Sequence, residues 1–402
     1  MGAVLVLAAM LLSFYGGFLA QFHYGPSLNN QIPAALLFTQ RTNGLDFATL
    51  QQIYDVMAHE YPKTVNGDDA FNGAAKGMVQ LYLNSKFGDG FSTYLTPEEL
   101  RQNQDFLQGS FAGIGATMST QNGKLTIIKL LPDTPAAKSG LKPGDVVTEI
   151  DGQTTDGMTL DTAVNKIKGQ VGTHVKLKVS RGTQLLDFDI TRDKIVVPSV
   201  RSKDIAPKVL YVRINDFGAT TAQDFESALQ QGISHGDDKI VLDLRQNPGG
   251  YVSAADAVVS EFVQSGSTVT VVGRNNSKDE HKVSGQGVAF SQKLVVLVDG
   301  NSASASEITA GALEDNHRAT LVGVKTFGKG LVEQDYPLRN GGDIHLTIAY
   351  WFRPNGQSID KNGITPDKVV PLDKPEDLYD IDSSTSDAVK DNQLQAALAA
   401  LK

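Results

Sequence analysis

The chain has 402 residues, of which 41% are hydrophobic and 20% charged, a length and composition that fit two to four folded domains and exclude a disordered chain. Acidic residues exceed basic ones, 45 against 36, for a formal net charge of −9 without a strong basic block, so nucleic acid is not an expected partner. Cysteine is absent, which excludes a thiol protease, a thiolate metal site and any disulfide.

From Gly2 to Ala20 no residue carries a charge, and the first charged side chain is Arg41. At 1.5 Å per residue such a run spans about 28 Å, close to the roughly 30 Å hydrocarbon core of a bilayer. A secretory signal would begin with a basic stretch and end at a small-x-small cleavage site. Neither is present, so residues 1–20 read as an uncleaved transmembrane anchor, with a cleaved signal or a buried helix as the alternatives. The missing basic flank leaves its orientation unsigned. Residues 21–44, polar and broken by Pro26 and Pro33, read as a tether.

Residues 45–108 read as helical. Leu45, Leu50, Ile53, Tyr54 and Met57 fall near helical spacing, as do Ala74, Met78, Leu81 and Tyr82. Thr96 is the expected cap of a further helix, with Pro97 in its first turn and Glu98 and Glu99 facing the positive end of the dipole. Residues 109–193 change to short strands with Gly turns, interrupted by two helical pieces, Pro135–Ser139 and Leu160–Lys168. Residues 194–374 alternate strand and helix, the pattern of an α/β layer fold, and residues 375–402 form a tail ending in a short helix, Gln393–Leu401.

Three segments carry chemistry. Asp243-Leu-Arg-Gln-Asn-Pro-Gly-Gly-Tyr follows an apolar strand, and its paired glycines allow a turn whose N–H groups face a cavity, as an oxyanion hole requires. Asn301-Ser-Ala-Ser-Ala-Ser-Glu-Ile follows the strand Leu294–Val298, and its small residues can hold a nucleophile at a helix N-terminus. Ser302, Ser304 and Ser306 compete for that role, and helix capping is the plainer role for any of them. Lys325-Thr-Phe-Gly-Lys-Gly places a Lys between glycines but lacks the order of a phosphate loop. A buried amine loses the solvation that favours its charge, and a neutral Lys can take a proton from a serine hydroxyl. No His stands in a metal-ligand spacing, and only His317 lies near enough in sequence to Ser304 to suggest a His-based triad. No metal and no cofactor is expected.

Phe111-Ala-Gly-Ile-Gly-Ala, followed by Pro135-Ala-Ala-Lys-Ser-Gly-Leu-Lys-Pro-Gly-Asp-Val, resembles the carboxylate-binding loop and following turn of a PDZ domain. That resemblance implies that Gly113, Ile114, Gly115 and Ala116 bind a peptide's terminal carboxylate through backbone N–H groups. Arg181 is a weaker candidate ligand contact and otherwise a hairpin-turn residue before Gly182. A peptide held there would add as a strand to an open sheet edge.

SASASEI, then TFGKG, then GITPD, in this order after a PDZ-like block, resembles the C-terminal processing peptidases, or tail-specific proteases. The resemblance runs from about Leu50 to about Pro371. It implies an α/β multidomain serine peptidase with an inserted PDZ domain, with Ser304 as nucleophile, Lys329 as base, and oxyanion donors on Ala305 and on Gly250, with Gly249 as the alternative. It also implies protein or peptide substrates with free C-termini, a homodimer formed through the N-terminal helices and, with the anchor, a bacterial cell membrane location with the catalytic part extracytoplasmic. One position departs from the pattern: the family has Gln four residues after the base, and this chain has Glu333, followed by Gln334. A carboxylate there favours the ammonium form of Lys329, which opposes base function unless Glu333 is protonated or a strand bulge substitutes Gln334. Glu333 is the sole support for the rival reading, a catalytically inactive PDZ scaffold that binds C-terminal peptides.

Overall fold

The computed structural model describes residues 47–402 apart from Asn122. The chain forms two compact units, divided after Ala70. The described part of the first holds helix α1 (Phe47–Glu60) and the start of α2 (Gly67–Lys76). Phe47, Leu50, Ile53, Val56 and Met57 are exposed on α1. The segment read as a membrane anchor lies outside the described residues. Among the described residues no helix is long and apolar enough to cross a membrane.

The second unit continues through a π-helical turn (Gly77–Leu81), α3 (Tyr82–Phe87), strand β1 (Thr93–Leu95) and α4 (Pro97–Leu107). Helix α4 starts where its capping residues require: the Thr96 hydroxyl accepts from the Glu99 N–H at 3.3 Å, and the Glu99 carboxylate accepts from the Thr96 N–H at 2.9 Å.

The block read as PDZ-like is a sheet in the order β3-β4-β5-β7-β8. It comprises β3 (Ala116–Gln121), β4 (Lys124–Leu130), β5 (Val146–Ile150), β7 (His174–Arg181) and β8 (Gln184–Thr191), with β6 (Gln153–Thr154) paired to β5. Strands β2 (Ser110–Gly113) and β9 (Asp193–Val196) pair as a separate two-stranded sheet. Helices α5 (Pro135–Ser139) and α6 (Leu160–Ile167) close a core that includes Ile114, Ile127, Val147, Ala163, Leu177 and Ile190.

The catalytic-type block is a six-stranded sheet. Strand β10 (Val200–Ala206) runs antiparallel to β11 (Val209–Ile214). The parallel strands β12 (Lys239–Asp243), β15 (Lys293–Val298), β16 (Thr320–Gly323) and β19 (Lys368–Val369) follow in that order. These strands are apolar on both faces because both faces are covered. Leu210, Val212, Ile240, Leu242, Leu294 and Val296 point to the side packed by α7 (Thr221–His235), α8 (Val252–Ser260) and α9 (Ala305–Asp315). Val209, Tyr211, Val241, Val295 and Leu297 point to the other side. There they meet Tyr379, Ile381, Leu394, Ala397 and Leu401 from the last 28 residues, including α10 (Asn392–Ala400). The segment read as a tail is thus a packed layer. Truncating one of these buried Leu residues to Ala would cost about 2–5 kcal/mol.

A second sheet packs through β13 (Ser267–Gly273) against α8 and α9. The long strand β18 (Asp343–Phe352) pairs with β1, β13 and β17 (Leu331–Pro337), and β13 pairs with β14 (Lys278–Lys282).

Candidate active site

The site forms where β12 and β15 end side by side, with Asp243 opposite Leu297. Beyond β12 the chain turns at Asn247, whose side chain is fully buried and bonds both ways. Its Nδ2 donates to the Ile214 carbonyl at 2.9 Å, and its Oδ1 accepts from the Gly249 N–H at 2.9 Å. Gly249 and Gly250 then adopt φ of 105° and 143°, values closed to other residues without strain. A Cβ on Gly249 would lie 2.8 Å from Ser304 Cβ and 3.0 Å from the Ala305 N, and one on Gly250 would lie 2.3 Å from the Phe217 carbonyl oxygen. The bridge to Phe217 uses the Gly249 carbonyl and the Tyr251 N–H, and Asn247 holds the Gly249 N–H. The Gly250 N–H is outside these bonds, and its neighbour Gly249 packs against the nucleophile turn, where an added Cβ would lie 3.0 Å from the Ala305 N at the start of α9.

The three serines separate by environment. Ser302 and Ser306 are fully buried, with hydroxyls donating to the carbonyls of Leu244 at 2.8 Å and Asn247 at 3.0 Å. They stitch the nucleophile turn to the Gly-Gly turn. Ser304, between them, is partly exposed and has φ 53° and ψ −115°, a positive φ that costs a non-Gly residue about 1–3 kcal/mol. Asp299 braces both turns: its Oδ1 accepts from the N–H groups of Gln246 and Ser302, each at 3.0 Å.

The Lys329 segment is tied to the same place. Phe327 N–H donates to the Ser302 carbonyl at 3.1 Å, and the indole of buried Trp351 donates to the Lys329 carbonyl at 2.9 Å. Glu307, three residues after Ser304 and fully buried, joins the two segments. Its Oε2 accepts from the N–H groups of Ser304 at 3.0 Å and Lys329 at 2.9 Å. Its Oε1 accepts from the Thr326 hydroxyl at 2.5 Å and the Gly328 N–H at 2.7 Å. Burial pushes the Glu307 carboxyl up, and these four donors offset only part of that rise.

The Lys329 side chain is 19% exposed. Its Nζ lies 2.9 Å from Glu333 Oε2 and 4.8 Å from the ring centre of Phe91. Lys329, Leu331 and Glu333 share one face at the two-residue period of a strand, whereas Gln334 points to solvent. A bulge is present, but its extra residue is Ile348 on β18: the register steps from Val332–Ala349 to Glu333–Thr347. The bulge therefore does not bring Gln334 to the lysine. Glu333 itself is 6% exposed, and its Oε1 has no hydrogen-bond partner.

Two alternatives do not fit the geometry. His317 follows the far end of α9, whose eleven residues span about 16 Å, so it is not beside Ser304. Arg181 is held within its own domain, donating to Asp145 at 2.6 and 2.7 Å and to the Gly140 carbonyl at 2.9 Å, rather than facing the 113–116 loop. Sequence reasoning passed over Glu307, Phe91, Asp299 and His345, which lies 3.8 Å from Glu333 Oε2. Only Glu307 had a local signal, the Ser-x-x-Glu spacing of a capping box.

At the PDZ-like loop, the carbonyls of Ile114 and Gly115 accept from the N–H groups of Ala136 at 2.8 Å and Leu131 at 2.9 Å. A trans peptide places its N–H opposite its C=O, so the N–H groups of Gly115 and Ala116 point the other way. Gly115 has φ 78°, and a Cβ there would lie 2.4 Å from Thr134 Cβ. Strand β3 pairs with β4 on one side only, so the loop opens onto the free edge of its sheet, beside α6.

Comparison with known proteins gives the family and the domains. The model of peptidase family S41 matches residues 208–370, and that of the PDZ domain matches residues 104–180. A "Probable CtpA-like serine protease" of Staphylococcus epidermidis is 34% identical over 359 residues, covering 86% of this chain and 71% of the relative. The chain belongs to peptidase family S41. A Staphylococcus aureus protein of the same description is 33% identical over 369 residues, covering 90% of this chain and 73% of the relative. Among solved structures, the photosystem II D1 C-terminal processing protease superposes on this S41 peptidase with a TM-score of 0.55 at 25% identity, covering 88% of this chain and 93% of that one. A putative S41 protease from Bacteroides fragilis shares the fold, with a TM-score of 0.59 at 16% identity over 87% and 96% of the two chains. This S41 peptidase is a serine peptidase of the C-terminal processing type with a PDZ domain and peptide substrates. The inactive-scaffold reading is not retained.

Proposed function

We propose that this S41 peptidase is an endopeptidase that recognises protein C-terminal tails through its PDZ domain and cleaves them by a Ser–Lys acyl-enzyme mechanism. The Ser304 hydroxyl attacks the scissile carbonyl while the Lys329 amine takes its proton. The oxyanion rests on the N–H groups of Gly250 and Ala305. The protonated amine then gives its proton to the departing amine of the substrate, and water hydrolyses the ester by the reverse path. Glu333 orients Lys329. The observation that carries this reading is the Glu307 carboxylate, one oxygen of which receives the main chain of both Ser304 and Lys329, with Ser304 the accessible serine of the three. Outward N–H groups at Gly115 and Ala116 support capture of a terminal carboxylate. Cleavage of a labelled peptide with a free C-terminus by the wild type, against the Ser304→Ala variant, tests it. Equal cleavage by both sinks the serine assignment.

The charge-free run from Gly2 to Ala20 supports a single-pass anchor in a bacterial cell membrane with the peptidase extracytoplasmic. The exposed apolar residues of α1 support homodimerisation through the N-terminal helices. Membrane fractionation of the full chain and analytical ultracentrifugation of residues 47–402 test these two parts separately.

A further inference from the structure

Glu333 places a buried carboxylate beside the proposed base, and its second oxygen has no partner. A lone anion 2.9 Å from the amine holds the proton that a base must lose. The far side of Glu333 carries another group. His345 stands opposite Asp335 across the β17–β18 ladder. Its Nδ1 lies 2.6 Å from Asp335 Oδ1, and its Nε2 lies 3.8 Å from the same Glu333 oxygen that contacts Lys329. The imidazole therefore hydrogen-bonds one carboxylate through Nδ1 and holds Nε2 within ion-pair range, but not hydrogen-bond range, of the other.

We propose that His345 is a positioning residue for the Lys329 base: as an imidazolium it is the counter-charge to Glu333, and it frees Lys329 to lose its proton. The inference rests on the Ser–Lys reading and deepens it. With His345 charged, a neutral Lys329 leaves Glu333 matched by a cation on its other side. With His345 neutral, deprotonating Lys329 removes the positive charge 2.9 Å from Glu333. Lys329 Nζ and His345 Nε2 are within about 7 Å of each other through the shared oxygen, a range over which one unit charge acts measurably even in a wet site.

The other titratable groups around the imidazole are named by the same contacts. Asp343, on β18, feels the charges of both Asp335 and His345. Tyr251 feels Asp335 from the Gly-Gly turn. Asp89, before β1, accepts from the Thr347 hydroxyl at 3.1 Å. β1 itself faces His345 with Thr93. Asp343 and Asp89 are further anions, so they add to the need for a local cation.

The test is the pH profile of kcat/KM of the full chain on fluorescently labelled casein, in five proteins: wild type, Glu333→Gln, His345→Gln, the double variant and His345→Lys. His345→Gln should move the rising limb to higher pH by about half a unit or more, a roughly threefold loss well below the wild-type midpoint. Glu333→Gln should move it to lower pH. In the Glu333→Gln background, His345→Gln should then cause a smaller shift, because the carboxylate that favours the charged imidazole is gone and only its direct repulsion of Lys329 remains. His345→Lys, which keeps a cation, should restore the wild-type limb. A His345→Gln profile that superposes on the wild type, or a full shift that persists without Glu333, overturns the inference. Lys329→Ala separates this from failure of the mechanism. An active Lys329→Ala defeats the Ser–Lys reading, whereas a dead Lys329→Ala with an unmoved His345→Gln defeats only the role of His345.

Discussion

Glu307 holds Lys329 by its main chain: the carboxylate Oε2 accepts the Lys329 N–H at 2.9 Å across 22 residues of sequence. The same carboxylate accepts three more donors, so an amide cannot replace it. In Glu307→Gln, an NH2 group would face two of those donors in a buried site, at a cost of about 1–3 kcal/mol for each group left unmatched. Chemical denaturation should show a loss of that order. Cleavage should fall at least tenfold, mainly in kcat, because the base shifts while the substrate surface stays. Thr326→Val, which removes one donor and leaves the carboxylate, should be milder in both measurements. A Glu307→Gln enzyme with wild-type kcat would show that the clamp does not position the base.

The flanking serines give a second expectation. Ser302→Ala and Ser306→Ala remove hydroxyls that bond the Leu244 and Asn247 carbonyls, so both variants should lose stability, by about 1 kcal/mol for each bond, and keep measurable activity. Thermal melts and cleavage rates on the same preparations check this. A dead Ser302→Ala beside an active Ser304→Ala would invert the assignment.

Much of this arrangement was legible before the structure, and the illegible parts share a physical reason. The apolar strands at 209–214, 239–243 and 293–298 announce a sheet covered on both faces, but not what covers it. The helix at 392–400 looked like a tail because nothing local links Leu394 and Ala397 to Val241 and Val295. Strands β14 (KDEHK) and β17 (LVEQDYP) carry no apolar alternation and are made by pairing with β13 and β18. The choice between Glu333 and Gln334 was within reach, since strand parity puts Lys329 and Glu333 on one face. His345 was not, because its place depends on the β17–β18 register.

The turn that supplies Gly250 is anchored by buried charge, which predicts acid behaviour. Burial alone would push the Asp243 carboxyl up, but Arg245 and Arg213 hold it down at about 2, below the ordinary 3.8. The folded value lies below the unfolded one, so the stability this pair contributes is complete above about pH 4 and is lost as the pH falls towards 2. Arg245 also bonds Asp391, which caps α10, so the pair links the active-site turn to the last helix. Arg245→Met should cost about 3–5 kcal/mol at neutral pH by leaving two buried carboxylates without their shared partner. Its acid unfolding should begin at higher pH. Melting temperatures from pH 2 to 7 for both proteins check the sign. An Arg245→Met variant as stable as the wild type would contradict it.

Tail recognition predicts a dependence on the terminal charge. Amidating the C-terminus of a peptide substrate removes the carboxylate that the Gly115 and Ala116 N–H groups would hold. Cleavage should weaken about tenfold, and Gly115→Ala, strained by its φ of 78° and its contact with Thr134, should blunt the difference between acid and amide. Equal turnover of acid and amide by the wild type would show that the tail is not read.

The central claim is the pairing of Ser304 with Lys329, and the direct measurement is cleavage of labelled casein by Ser304→Ala and Lys329→Ala beside the wild type, with circular dichroism to establish that all three are folded. Both variants should fall to background while keeping the wild-type spectrum. A folded Lys329→Ala that cleaves at or near the wild-type rate would contradict the account.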